Sequence, residues 1–308
     1  MGGENGTDVE AREAVGSVAD RLAAAVPSEG TPLGYLLRLS RPRFWPYLGG
    51  PALVGVVFAA DGVGELFSPL AIALVAYFTV PANVFLYGVN DAFDAEIDLA
   101  NPKKDDEGPE VRYRDRTSIR LVVLAAGLIG FGFVPWLPAV GLAILAAYYF
   151  LAIEYSAPPF RFKTTPVLDS LSNGLYVLPG VVAFAAIDGA LPPALAIAGG
   201  WLWTMAMHTF SAIPDIEPDR TAGIRTTATV LGERWTHAYC VIVWLAGAVV
   251  FGLLDPRLGA LLAVYPVVGA AVALSDVDVA RAYWWFPYLN TVVGALLTMG
   301  GLRVMLNA

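Results

Sequence analysis

The sequence predicts an all-α, polytopic membrane protein with nine transmembrane helices, and three observations support this fold class. Hydrophobic residues make up 57% of the 308 residues, and the mean hydropathy is +0.61, more than one soluble core can bury. The apolar residues fall in long, uncharged runs that approach the ~17–25 residues needed to cross a bilayer as a helix. These runs lack the alternating pattern that a membrane β-barrel requires.

Nine runs fit this description, separated by short polar segments. In chain order they cover residues 44–60, 66–89, 119–135, 138–153, 166–187, 193–213, 237–254, 258–274 and 284–306. Residues 33–308 are therefore expected to form a single transmembrane domain.

The polar segment 1–32 is expected to be disordered or to form a helix on the membrane surface. Apolar residues recur there every three or four positions, at Val15, Val18, Leu22 and Val26. The first residues are acidic and no apolar stretch follows them, so no cleaved secretory signal is expected.

The distribution of basic residues predicts the orientation in the cell membrane. Loops separated by an even number of crossings share one face, and all but two of the 19 basic residues, Arg257 and Arg303, fall on the face of the N-terminus. The positive-inside rule places that face in the cytoplasm and the C-terminus outside. The net charge of −8 and the scarcity of lysine suit a halophilic archaeon, and the lack of a basic stripe argues against a nucleic acid partner.

An acidic motif ends the second predicted helix. Its pattern is N-D-x-x-D-x-x-x-D, formed by Asn90, Asp91, Asp94 and Asp98. Spacings of three and four place the carboxylates on one helical face, where they repel one another unless a cation offsets them. Mg²⁺ is the expected cation, because it prefers carboxylate oxygen and usually binds through one or two carboxylates plus substrate phosphates.

A second acidic cluster follows the sixth predicted helix, with Asp215 and Asp219 four residues apart and Glu217 between them. Four crossings separate the two clusters, so both are expected on the cytoplasmic side, where they can hold one diphosphate between them. The alternative interpretation of each cluster is a solvated acidic cap. The position of both clusters at the ends of apolar helices disfavours it.

Two basic segments lie on the same predicted face. One contains Arg161 and Lys163 after the fourth helix, and the other contains Arg41 and Arg43 before the first. These side chains are expected to neutralise a departing diphosphate. The alternative is that they set the topology or anchor lipid headgroups.

Three polar residues within the predicted helices are candidate cavity residues. Asn83 lies seven residues before Asn90, and His208 lies seven residues before Asp215, so each sits two helical turns deeper on the face of its motif. Asn173 lies near the start of the fifth predicted helix. For all three, a hydrogen-bonded polar group in the core is the alternative.

These motifs resemble those of the UbiA superfamily of intramembrane prenyltransferases, from about residue 33 onward. The first motif matches at Asn90 to Asp98, the second D-x-x-x-D motif at Asp215 to Asp219, and the tyrosine-containing basic loop at Tyr155 to Lys163. The resemblance implies nine helices around a central cavity and Mg²⁺-dependent transfer of a prenyl group from an isoprenyl diphosphate to a lipophilic acceptor. It makes Asp91, Asp94, Asp98, Asp215 and Asp219 metal ligands, and Asp91, Asp94, Asp215 and Tyr155 catalytic. The family often has Gly before the last Asp of the second motif, where this chain has Pro218.

Within the superfamily, the segments NDAFDAEID, YSAPPFRFKTTPVLDSLSNG and DIEPDRTAGIRTT most resemble the haloarchaeal lycopene elongases. This likeness implies that dimethylallyl diphosphate ionises and its allylic cation adds to lycopene, on the route to C50 carotenoids such as bacterioruberin. Hydration of the product cation is left open. Aromatic residues that can stabilise a cation, or simply pack, are Tyr87, Phe93, Tyr155, Tyr176, Trp201, Trp203 and Phe210.

Other functions compatible with the motifs keep the chemistry and change the acceptor to a quinone precursor, a porphyrin or an archaeal glycerol lipid. The motifs do not separate these acceptors. A transporter is a remote alternative, because transporters usually place charges near the midplane, whereas here they cluster at one face. The oligomeric state is not predicted.

Overall fold

The computed structural model describes residues 27, 30–94 and 113–307. In this part of the chain the protein is all-helical and contains no strand, which confirms the predicted class. The candidate surface helix within residues 1–26 and the motif residue Asp98 lie outside the described residues.

Sixteen α-helices are present in the described ranges. They are α1 Pro32–Leu39, α2 Trp45–Ala59, α3 Val63–Leu66, α4 Pro69–Thr79, α5 Pro81–Asp94, α6 Thr117–Ile129, α7 Ala139–Glu154, α8 Leu168–Leu171, α9 Leu178–Asp188, α10 Ala194–Ser211, α11 Ile216–Thr221, α12 Thr227–Leu231, α13 Glu233–Leu254, α14 Pro256–Leu262, α15 Val264–Ala273 and α16 Val279–Asn307. Short 3₁₀ turns connect several of them, at Pro42–Phe44, Gly130–Trp136, Phe162–Thr164, Ser172–Tyr176 and Ile213–Asp215.

Six helical segments of the described chain are long and apolar enough to cross a membrane. They are Pro69–Asp94, Thr117–Trp136, Leu168–Asp188, Glu233–Leu254, Pro256–Ala273 and Val279–Asn307. The predicted runs 44–60, 138–153 and 193–213 are also helical, as α2, α7 and α10, but fall outside this set. The structure therefore supports a membrane protein with six candidate crossings in the described ranges, and the count of nine stays a prediction.

The predicted second helix is divided between α4 and α5. Pro81 has no backbone N–H, so the ladder of backbone hydrogen bonds is interrupted and the last carbonyl groups of α4 need other donors. The side-chain amide of Asn83 is such a donor. Its Nδ2 atom donates to the carbonyl oxygens of Phe78 at 3.1 Å and Thr79 at 2.9 Å. The buried Asn83 amide thus stabilises the junction between α4 and α5.

The predicted fifth helix is interrupted by the 3₁₀ turn Ser172–Tyr176 between α8 and α9. Asp169 fixes the start of this segment, because its buried carboxylate accepts hydrogen bonds from the backbone N–H of Thr227, at 2.9 Å, and from the Thr227 hydroxyl. Irregular backbone at membrane depth is tolerated where protein or a cavity surrounds it. This turn carries cavity-lining residues.

Two hydrophobic clusters form the interior. The first unites side chains of α1, α2, α4 to α7 and α9, and the second unites side chains of α10 to α16 together with Tyr47 of α2. The backbones of α2 and α9 approach closely, since a Cβ atom at Gly55 would lie 2.1 Å from the carbonyl oxygen of Gly180. Cys240 is buried in the second cluster.

Candidate active site

A cavity of about 630 Å³ lies where the two hydrophobic clusters meet, lined by side chains from both. The segment before α2, the end of α5, the 3₁₀ turn Ser172–Tyr176, α10 and the start of α16 all contribute to its wall. The residues expected at the site that line it are Arg41, Arg43, Asn90, Tyr155, Asn173, His208 and Asp215. The other predicted site residues of the described chain lie outside this lining; they are Asn83, Asp91, Asp94, Arg161, Lys163 and Asp219.

The carboxylates of the first acidic motif are buried and paired with the predicted basic segments. Asp91 is 2% exposed and accepts a hydrogen bond from Nη2 of Arg41 at 3.0 Å. Asp94 is 7% exposed, accepts from Nη2 of Arg161 at 3.4 Å and also forms an ion pair with Lys163. These ion pairs join residues 50 to 70 positions apart in the chain into one acid–base cluster. Such pairing is expected, because a buried charge needs a partner of opposite charge.

Both basic segments place an arginine in the left-handed backbone region. Arg41 has φ = 50° and Arg161 has φ = 44°, and each precedes a 3₁₀ turn. This conformation costs a non-glycine residue ~1–2 kcal/mol and recurs at functional sites, where the surrounding contacts hold it. The guanidinium of Arg41 also lies 4.5 Å from the centroid of the Tyr87 ring, which fixes its plane.

Lys163 lies within electrostatic reach of both acidic motifs. Burial lowers the pKa of Lys163 to about 8, while the carboxylates of Asp91 and Asp219 oppose this shift. Its backbone N–H donates to the carbonyl oxygen of Tyr155 at 3.0 Å, which closes the basic loop. The loop therefore brings one ammonium group near carboxylates from two separate motifs.

The second motif begins in the 3₁₀ turn after α10 and continues into α11. Asp215 lines the cavity, and Asp219 follows one turn later. Pro218 lies in the first turn of α11, where its missing N–H has no helical partner to lose, so the departure from the family pattern leaves the turn intact. Glu217 is exposed and pairs with Arg220 at 2.7 Å.

Around the cavity wall, polar side chains form specific hydrogen bonds. Tyr155 Oη lies 3.0 Å from Nε2 of His208. The hydroxyl of Ser156 donates to Oδ1 of Asn90 at 2.6 Å, a contact that no sequence pattern indicated. Asn173 donates to the carbonyl oxygen of Asp169 at 2.5 Å.

Of the seven aromatic candidates, Tyr87, Tyr155, Tyr176 and Trp203 line the cavity. The other three lie elsewhere: Phe93 is exposed, Trp201 donates from Nε1 to the carbonyl oxygen of Leu171, and Phe210 is fully buried in the second cluster.

Sequence reasoning missed the contribution of α16 to the site. Tyr283 and Trp284 line the cavity, and Arg43 donates to the carbonyl oxygen of Trp284 with its guanidinium 3.5 Å from the centroid of that ring. Phe44 of the 3₁₀ turn Pro42–Phe44 and Tyr47 of α2 also join the wall. Their only sequence signal is a high aromatic content near helix ends, which equally indicates an interfacial belt.

The carboxylates at the site have the chemistry that Mg²⁺ requires. No group of three or more His, Cys, Asp or Glu side chains within metal-binding distance occurs among residues 27, 30–94 and 113–307. Mg²⁺ does not need such a group, because one or two carboxylates plus substrate phosphates usually complete its shell. Asp91 and Asp94 are buried anions that need cationic partners, so they fit this ion.

A helical membrane bundle whose apolar cavity is lined by an aspartate and by arginines, one of them paired with a buried carboxylate, defines a class of protein: a membrane enzyme for a substrate with a charged head and a lipophilic body. Residues 48–301 match the UbiA prenyltransferase family. The chain belongs to this family and is a prenyltransferase.

Relatives and solved structures agree with this assignment. The chain is 61% identical over 287 residues to a lycopene elongase/hydratase of Haloarcula japonica, covering 93% of this chain and 97% of the relative. It is 59% identical to a lycopene elongase/hydratase of Haloferax volcanii, covering 99% and 96%. A UbiA homolog from Archaeoglobus fulgidus bound to DMAPP and Mg²⁺ superimposes with a TM-score of 0.68 at 18% identity, covering 87% of this chain and 99% of that one.

Proposed function

We propose that this prenyltransferase transfers the dimethylallyl group of dimethylallyl diphosphate to lycopene during C50 carotenoid synthesis, and that the resulting cation takes up water. One observation carries the chemistry: a single apolar cavity is lined by Asp215 of the second acidic motif and by Arg41 and Arg43, and Arg41 pairs with Asp91 of the first motif. The acceptor and the hydration are supported by relatives about 60% identical over nearly the whole chain, which bear the name lycopene elongase/hydratase.

The basic side chains hold the diphosphate. Arg41, Arg161 and Lys163 already meet carboxylates at the first motif, so they are positioned to donate to phosphate oxygens beside them. Arginine offers a planar pair of donors, and lysine offers a compact charge. Both stabilise the negative charge that develops as the carbon–oxygen bond breaks. Arg43 contributes positive charge at the same wall.

Mg²⁺ is the proposed cofactor. Asp91, Asp94, Asp215 and Asp219 would hold it, together with Asp98 beyond the described residues. When bound, the ion supplies positive charge that offsets the charge of the leaving diphosphate. The protein contributes buried carboxylates at fixed positions, since Asp91 and Asp94 are almost fully enclosed.

The cavity walls protect the allylic cation. Faces of Tyr87, Tyr155, Tyr176 and Trp203 border the space in which the cation forms. Aromatic faces attract a cation, and an apolar wall restricts the access of stray water. Asn90, Asn173 and His208 add polar contacts that orient the substrates.

The proposed topology has nine membrane crossings, a cytoplasmic N-terminus, cytoplasmic active-site loops and an external C-terminus, with residues 33–308 as one domain. The excess of basic residues on one side of the predicted spans supports this orientation. Diphosphate would then enter from the cytoplasm, and lycopene from the bilayer.

Membranes that contain the protein test this function directly. They are incubated with labelled dimethylallyl diphosphate and lycopene, with Mg²⁺ or with EDTA, and the carotenoids are separated. We expect labelled, elongated carotenoid with Mg²⁺ and none with EDTA. Unchanged lycopene in the presence of Mg²⁺ would refute the acceptor.

A further inference from the structure

A hydrogen-bonded pair in the cavity wall has no assigned part in the hydration step. Tyr155 Oη lies 3.0 Å from His208 Nε2, and the two rings meet edge to face with centroids 5.7 Å apart. Both side chains line the cavity. The chain has two histidines, and the other, His237, packs against Phe210 outside the cavity lining. His208 is therefore the one imidazole of the described lining.

The pair lies where two helices end. Tyr155 follows the last residue of α7, and His208 lies in the last turn of α10, before the 3₁₀ turn that carries Asp215. The neighbours of His208 in the lining include Met207 and Ser211 of the same helix. The imidazole thus borders the cavity beside the apolar side chain of Met207.

We infer that Tyr155 and His208 accept the proton released when water adds to the acceptor cation, an inference that rests on the proposed lycopene elongation. The carbon–oxygen bond of the allylic diphosphate breaks, and its electron pair leaves with the diphosphate. The π electrons of the terminal acceptor double bond then form the new carbon–carbon bond, which leaves a tertiary cation. A lone pair of water bonds to that carbon, and the resulting oxonium must lose one proton.

The pair provides a route for this proton. A tyrosine hydroxyl accepts and donates hydrogen bonds at the same time. Tyr155 Oη takes the proton of the oxonium while its own proton passes to His208 Nε2, and the imidazolium later returns the proton to water. The product is a tertiary alcohol, and no oxidant or reductant is needed.

The carboxylates of the first acidic motif and the amide of Asn173 are less suited to this proton. Asp91 and Asp94 are held in ion pairs with Arg41, Arg161 and Lys163 near the diphosphate. The amide of Asn173 lines the cavity but is not basic. Without an acceptor beside the water, the tertiary cation instead loses a proton from an adjacent carbon to the departing diphosphate and becomes an alkene. The ratio of alcohol to alkene therefore measures whether the pair accepts the proton of the added water.

The test compares His208→Gln and Tyr155→Phe with the matched control His237→Gln. Membranes with each protein receive labelled dimethylallyl diphosphate, lycopene, Mg²⁺ and isotopically labelled water, and the elongated products are separated into alcohol and alkene. Mass spectrometry shows that the alcohol oxygen comes from water. Extraction in detergent followed by gel filtration shows that each variant is folded.

We expect the ratio of alcohol to alkene in the elongated product to fall about tenfold or more in both cavity variants, the effect of losing a general base. The control should keep the wild-type ratio. An unchanged ratio in both variants would overturn the inference, because the departing diphosphate would then be the base.

Complete loss of prenyl transfer in both folded variants would also overturn it, because the pair would then be needed before water adds. An elongated but unhydrated product from the wild-type protein would overturn this inference alone. Unchanged lycopene with the wild-type protein would instead overturn the proposed function.

Discussion

Asp91→Asn changes one oxygen to nitrogen and removes the negative charge of a side chain that is 2% exposed. Asn keeps an acceptor for the Arg41 guanidinium, now 3.0 Å from the carboxylate, so the loss of stability should stay at about 1–3 kcal/mol. Catalysis should suffer more. The proposed cofactor loses a ligand and the site loses a charge that positions Arg41, so we expect kcat/KM to fall by about 10³-fold, or ~4 kcal/mol of transition-state stabilisation.

The assay measures transfer of labelled dimethylallyl groups into the organic phase over a range of Mg²⁺ concentrations. Asp115→Asn is the matched control, since it also removes an aspartate paired with an arginine, Arg120, but both side chains are about 60% exposed. Exposed ion pairs contribute little, so the control should keep wild-type activity. Activity of Asp91→Asn within tenfold of wild type at saturating Mg²⁺ would refute the proposed charge requirement at Asp91.

Further variants test the second motif, the basic segment and the packing. Asp215→Asn should reduce prenyl transfer by about 10²-fold or more, whereas Glu217→Gln, which changes an exposed neighbour, should not. Equal activities of the two variants in the same assay would argue against a metal role for the second motif. Arg41→Lys keeps the charge but loses the planar donors, so the KM for the diphosphate should rise about tenfold, and an unchanged KM would contradict the assigned contact. Gly55→Ala should lower the stability by about 1–3 kcal/mol, because its Cβ would lie 2.1 Å from a carbonyl oxygen of α9. Gly50→Ala is the control, since a Cβ there meets nothing within 4 Å. Identical melting temperatures of the two variants would contradict the close approach of α2 and α9.

The fold could be predicted to the level of its helices. Hydropathy found every apolar run, because burial in lipid demands an uninterrupted apolar surface. It missed the breaks inside runs, such as the junction at Pro81 and the turn Ser172–Tyr176. A run remains apolar whether it forms one helix or two, so hydropathy alone does not reveal the break.

Of the predicted site residues, three charged and four polar ones line the cavity, whereas Asn83 and most of the other charged residues lie outside its lining. Asn83 and His208 had the same spacing from their motifs, yet His208 lines the cavity and Asn83 binds the carbonyl groups of a helix junction. Helical periodicity gives the direction of a side chain relative to its own helix. It does not say whether a neighbouring helix, a cavity or a broken backbone lies in that direction.

The sequence by itself determined the all-helical membrane class, the family and the charged motifs, since apolar length, charge bias and carboxylate spacing are local properties of the chain. The tertiary structure decided which partners these residues meet: Arg41 with Asp91, Lys163 with Asp94, and Tyr155 with His208. Each pair joins segments about 50 residues or more apart, and only helix packing fixes such distances. The proton-accepting pair proposed for hydration could therefore be recognised only after folding had brought the ends of α7 and α10 together.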